Sequence, residues 1–271
     1  MDEFKEYFSK QYNIMQNKTK KGREFLFEGD EKLKEYSKDS KSSTELHLNL
    51  LPQPFIGDLK NAKIIICSLN PGYSEEDKCI EKKYQKDLLK QLDPDEQNKT
   101  LFWLTGDEND GGGFKWWQSK LNQKSPNKNI NLSFVQEIID RYKKNGITVY
   151  EKDVFIMLSN IMAAVELFPY HSKSFKYRLL NDCKSTERIR NYVHDVLIEE
   201  SKKGKKLVCF TRSFKQWGKG GKSVKELASG VDNIICASNP RCVTFNVTLP
   251  FGEAIIDYLD KKITGGFTKK I

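Results

Sequence analysis

Asn70, in Asn70-Pro71-Gly72-Tyr73, follows the apolar run 64–67 and its polar exit Ser68-Leu69. A side-chain amide just past such a run can hold a water molecule without being a strong base. Pro71-Gly72 shapes the turn and lets backbone approach a ligand closely. Comparable polar exits recur as Ser159-Asn160 with the later Glu166-Leu167-Phe168-Pro169-Tyr170-His171-Ser172, as Thr211-Arg212-Ser213-Phe214 and as Ser238-Asn239-Pro240-Arg241. His171 can donate a proton to a ring oxygen or meet a phosphate. The hydroxyls of Ser172, Ser213 and Ser238 and the guanidinium of Arg241 suit phosphate oxygens. Asn160 and Glu166 are alternative readers of a polar ring edge, and the sequence leaves the choice open. An ordinary strand-exit turn explains any one of these loops. Four at one edge of a sheet make a site.

The elements that would hold these loops are legible as a pattern. Short continuous apolar runs at 64–67, 154–158, 207–210 and 234–237 read as strands buried on both faces, as in parallel sheets. Between them lie helical periodicities. One covers 134–145, is apolar at 134, 135, 138, 139 and 142, and stops at Gly146. Another covers 186–203 and stops at Gly204; a third covers 249–262 and has Pro250 near its start. The expectation is an α/β fold: a three-layer sandwich with a central, mostly parallel four-stranded sheet flanked by helices. One domain spans 1–271. Residues 1–45 form a helical cover, and 74–150 a helical and loop insertion between the first and second strands. Ligands of such a sheet bind at the carboxyl ends of its strands, where the polar exits fall.

Composition narrows the function. The chain has 271 residues, 38% hydrophobic and 11% aromatic, enough for a packed core, which excludes wholesale disorder. No apolar run approaches the ~20 residues of a membrane span. The amino-terminal MDEFKEYFSKQY carries no apolar signal core, so a cytoplasmic location without membrane attachment is expected. Six cysteines without CxxC spacing and three histidines point to buried reduced thiols, with no metal site. The formal charge of +9 suits an acidic partner. Lys202, Lys203, Lys205, Lys206, Arg212, Lys215, Lys219, Lys222 and Lys225 occur with no intervening acid and with Phe214 and Trp217 among them. That composition reads as a loop meeting phosphates.

The ordered motifs PFIGDL at 54–59, IIICSLNPGYS at 64–74, VELFPYHS at 165–172, LVCFTRSFKQW at 207–217 and CASNPR at 236–241 resemble the uracil-DNA glycosylase superfamily. The resemblance covers about 50–260 and is poorest over 74–150. Its Asn-Pro-Gly is closest to the mismatch-specific, thymine and single-strand-selective branches. The resemblance implies a monomeric DNA glycosylase that flips out a base and hydrolyses its N-glycosidic bond, with DNA as partner and no cofactor. Asn70 would position the water and His171 would assist. Tyr73, Asn160, Glu166, Phe168 and Asn239 would form the base pocket. Ser172, Arg212, Ser213, Lys215, Lys219, Lys222 and Arg241 would contact DNA. No lysine stands in the first motif to form a Schiff base. Arg241 replaces the family's small serine, and Cys242, Val243 and Phe245 are the candidates for the wedge that fills the duplex. Some superfamily members acting in phage defence excise bulky modified cytosines. With Gly111-Gly112-Gly113, Trp116 and Trp117 near the site, the expected substrate is a deaminated or 5-modified pyrimidine, including modified phage cytosine. A catalytically inactive nucleic-acid-binding protein on the same fold is the alternative. A nucleotide-processing enzyme is disfavoured, because no glycine-rich phosphate cradle follows the first strand.

Overall fold

The computed structural model describes residues 2–21, 24–37, 45–93, 96, 99–106, 111–122, 133–239 and 243–262. Its helices are α1 (Asp2–Lys21), α2 (Asp77–Leu92), α3 (Gly111–Leu121), α4 (Phe134–Lys144), α5 (Glu151–Ile161), α6 (Lys184–Tyr192), α7 (Glu199–Lys202), α8 (Val224–Leu227) and α9 (Pro250–Lys262). A π-type segment, Val193–Ile198, joins α6 to α7. The strands are β1 (Phe55–Ile56), β2 (Ile64–Ser68), β3 (Met162–Glu166), β4 (Leu207–Phe210) and β5 (Ile234–Cys236).

They form one sheet in the order β1-β3-β2-β4-β5. β2, β3, β4 and β5 run parallel, and β1 pairs antiparallel with β3 at the edge. The fold is the expected three-layer α/β type, with a fifth, two-residue strand added. Ile64, Ile65, Ile66 and Cys67 are fully buried, as a central strand covered on both faces requires. One group of touching helices is α4 with α5 and α9; the other is α1 with α2 and α6. On α1, Phe8 and Met15 are buried, and Phe4 stacks on Tyr192 with ring centroids 3.8 Å apart. Phe8 packs edge-on against Phe55 of β1, so α1 lies over the β1 edge.

The second strand departs from expectation. Residues 154–158 belong to α5, and the strand is the next segment, Met162–Glu166. Val154, Phe155, Met157 and Leu158 are buried, whereas Ile156 and Asn160 are exposed, which is the footprint of a helix lying on a core. The Asp153 carboxylate accepts the Tyr150 N–H at 2.9 Å and closes the helix start. Met162 is both the end of the helix and the first strand residue. Helix and strand therefore follow one another with no turn between them, and apolar runs on either side of Ser159-Asn160 are not told apart as helix and strand by periodicity alone.

The connections fix where the loops gather. The chain leaves β2 toward β3 on one side and leaves β4 toward β5 on the other. Adjacent parallel strands whose connections diverge leave a crevice at their carboxyl ends. The 45–54 segment is hydrogen-bonded along the exit of β3: His47 N–H to the His171 carbonyl (3.0 Å) and Gln53 N–H to the Pro169 carbonyl (2.8 Å). No helix among the described residues is long and apolar enough to cross a membrane.

Candidate functional site

A cavity of about 420 Å³ opens over the carboxyl ends of β2 and β3. Its polar wall includes Ser68, Asn70, Glu166, His171, Ser172 and Arg212; its apolar wall includes Phe55, Leu88, Trp103, Trp116, Trp117 and Phe175. The volume lies within the ~300–1,000 Å³ of ordinary small-molecule sites and exceeds what one pyrimidine ring fills.

Asn70 is held at the exit of β2. Its Nδ2 donates to Ser172 Oγ at 3.2 Å and to the Ser172 carbonyl at 3.4 Å. Oδ1 has no hydrogen bond among the described residues, so the amide presents an acceptor suited to a water proton. Gly72 adopts φ +71°, a left-handed turn that favours glycine and bends the loop back over the cavity. Ser172 is buried, so its hydroxyl orients Asn70 instead of meeting a phosphate as expected.

His171 corrects the reading of it as a catalytic group. It is buried, and Nδ1–H donates to the Gly72 carbonyl at 2.9 Å. Nε2 lies 3.2 Å from Gln53 Nε2, whose N–H it accepts in the neutral ring, and 3.2 Å from the Leu51 carbonyl. Burial holds the imidazole below its ordinary pKa, favouring that neutral form. Nδ1 therefore holds the Gly72 backbone and Nε2 the Gln53 side chain, so that His171 positions the Asn70–Gly72 turn. Tyr73 does line the cavity, and His47 stacks on it with centroids 3.3 Å apart and planes 12° apart. His47 carried no motif signal in the sequence; its partner is visible only in three dimensions.

Glu166, the last residue of β3, lines the same cavity as Asn70. Its N–H donates to the Pro54 carbonyl at 2.9 Å. Carboxyl Oε2 is buried without a hydrogen-bond partner among the described residues. Burial pushes this carboxyl up to about 8, with the Arg212 guanidinium pulling the other way. Asn160, the other candidate edge reader, is exposed on α5, which precedes β3 and so lies toward the opposite sheet edge. Of the two, only Glu166 is brought to the cavity wall. Phe168 is fully buried against Tyr170 and Phe175 and forms no part of the cavity wall. Asn239 is exposed beyond β5 and likewise stands off the wall.

The insertion supplies the apolar wall through Leu88 of α2, Trp103, and Trp116 and Trp117 of α3. Gly113 lies on Trp103: a Cβ there would come within 2.9 Å of the indole. Trp117 also packs against Phe245, at 6.0 Å between centroids. Val243 and Phe245 are buried, which removes both as wedges. Arg241 and Cys242 lie outside the described residues.

The basic stretch is divided by β4. Lys202, Lys203, Lys205 and Lys206 precede the strand; Arg212, Lys215, Lys219, Lys222 and Lys225 follow it on the cavity side. Lys206 is buried, and its ammonium donates to the carbonyls of Leu59, Lys60 and Ala62, which excludes it from DNA. Trp217 is also buried, donating through Nε1 to the Ser68 carbonyl at 3.1 Å. Lys219 and Lys222 pair across Gly220-Gly221, both at positive φ, and Lys219 meets Asp195 at 2.6 Å. Ser213 is buried at φ +58°, with Oγ 3.2 Å from the Tyr177 hydroxyl. Strain of that kind concentrates at functional loops.

Comparison of the chain with family models, with curated proteins and with solved structures gave no match.

Proposed function

We propose that this protein is a monofunctional DNA glycosylase that extrudes a deaminated or 5-modified pyrimidine and hydrolyses its N-glycosidic bond, leaving an abasic site. The observation that carries this reading is Asn70, clamped through Nδ2 by Ser172 and keeping an acceptor oxygen beside an aromatic-walled cavity. Glycosidic hydrolysis passes through an oxocarbenium-like sugar, so a neutral amide that places water beneath C1′ is sufficient and no strong base is required. The negative charge that builds on the departing base calls for donors at the opposite side. Arg212 and the Glu166 carboxyl line the same cavity and can supply them.

The width of the cavity favours a substituted ring over plain uracil. Trp103, Trp116 and Trp117 offer stacking surface for a group carried on C5, including a sugar. Modified phage cytosine fits that description, and with it a role in defence. DNA backbone contact is assigned to Arg212, Lys215 and Lys222.

The test is incubation of purified protein with oligonucleotides bearing uracil, 5-hydroxymethylcytosine or its glucosylated form, followed by detection of abasic sites. Release is expected to be fastest from the modified cytosines. Asn70→Ala should slow release at least about 100-fold with binding and melting temperature preserved. Binding of DNA by the wild type with no base released from any substrate would favour an inactive binding protein.

A further inference from the structure

Glu166 lies on the cavity wall, and its chemistry differs from that of an amide. The residue ends β3, in register with Ser68 of β2, so the sheet delivers it to the cavity beside the Asn70 turn. Oε2 is buried and unbonded among the described residues. A buried acceptor or donor left without a partner is costly, and it persists most readily where a ligand supplies the missing bond. The charged and titratable groups around it are Arg212, from the loop after β4, and the Cys67 thiol of β2. Tyr73, Asp77, His171 and Lys173 are further titratable side chains on the cavity wall.

Bases differ as leaving groups. A uracil-type ring departs as an anion spread over two carbonyls. A cytosine-type ring has one carbonyl and an amino group, holds negative charge less well, and leaves far more readily once N3 is protonated. A carboxylic acid matches this edge at two points, its O–H facing N3 and its carbonyl oxygen accepting the 4-amino group. Burial keeps the Glu166 carboxyl protonated up to about pH 8, as other apolar sites keep an acid neutral for donation.

Resting on the glycosylase reading, we propose that Glu166 is the general acid for a cytosine-type base, giving its proton to N3 as the glycosidic bond breaks. The C1′–N1 bonding pair passes into the ring, the base leaves neutral, and Glu166 is left as carboxylate. Water held by Asn70 adds its oxygen to C1′, and the proton it releases returns through solvent to Glu166. No oxidant, metal or other co-reactant enters the balance.

The experiment is single-turnover base release by wild type, Glu166→Gln and Glu166→Ala on matched oligonucleotides carrying 5-hydroxymethylcytosine or uracil, across pH, with melting temperatures recorded. Glutamine keeps one donor and one acceptor but has no proton to transfer. The expected result is a fall of at least about 100-fold in the ratio of modified-cytosine to uracil release in Glu166→Gln. The wild-type rate on modified cytosine should drop about tenfold per pH unit above the acid's titration, while that on uracil should not follow it. An unchanged ratio in a folded Glu166→Gln, or parallel pH profiles for the two bases, overturns the proposal and leaves the glycosylase reading standing. Release of no base from either substrate by wild type overturns both.

Discussion

Burial raises the Glu166 carboxyl to about 8 from its ordinary 4.5, and that shift links the residue to stability as well as chemistry. The folded chain binds this proton more tightly than the unfolded chain does. Below about 4.5 both states are protonated and no penalty exists. Between that value and about 8 the folded state loses relative stability as pH rises, and above it the loss is complete. Glu166→Gln is neutral throughout and escapes the penalty. Its melting temperature minus that of wild type should therefore increase from pH 5 to pH 8; a difference independent of pH would show the carboxyl to be ordinarily solvated. Arg212 opposes the shift, so Arg212→Gln should enlarge the same difference.

The elements around β4 divide a run of lysines that looks continuous in sequence. A strand carries the chain from one edge of the sheet to the other, so Lys202, Lys203 and Lys205 belong to the edge away from the cavity. Lys215, Lys219, Lys222 and Lys225 belong to the cavity edge, where Lys225 lies 4.6 Å from the Phe214 ring centroid. On the proposed glycosylase reading, only the second group can follow a DNA backbone that delivers a base to Asn70. Replacing Lys215 and Lys222 by Gln should reduce the slope of log affinity against log salt by about two units, near one per phosphate contact. The triple change at Lys202, Lys203 and Lys205 should leave that slope where it is. Equal effects from the two sets would mean that DNA binds without regard to the cavity edge.

At the scale of the molecule, the two sheet edges carry different duties. The carboxyl edge holds Ser213 at φ +58° and the Glu166 Oε2, which has no hydrogen-bond partner among the described residues. The amino edge is tied by Lys206, whose ammonium donates at 3.0, 2.8 and 2.8 Å to the carbonyls of Leu59, Lys60 and Ala62 and faces Glu200 at 3.5 Å. Lys206→Met would strand those carbonyls and one carboxylate. A loss of about 3 kcal/mol in denaturant unfolding is expected, with base release per folded molecule unchanged. A comparable loss of activity at full folding would show the two edges to be coupled.

The amino-acid sequence by itself determined the α/β character, the apolar runs at 64–67, 207–210 and 234–237, the helix stops, and the gathering of polar loops at one edge. Those features are local: apolar continuity marks a strand covered on both faces, and glycine or proline marks its exit. It did not divide the stretch from 154 to 166, because a helix on a core and a strand in a core are equally apolar. Only pairing of Met162–Glu166 with β2 decided that division. The same pairing put Glu166 at the cavity and Asn160 at the far end of the strand. Tertiary contacts likewise decided that both His171 nitrogens are engaged within the protein and that Lys206 is internal. A side chain's chemistry is written in its type, but whether that chemistry is free to act depends on which groups from distant segments surround it.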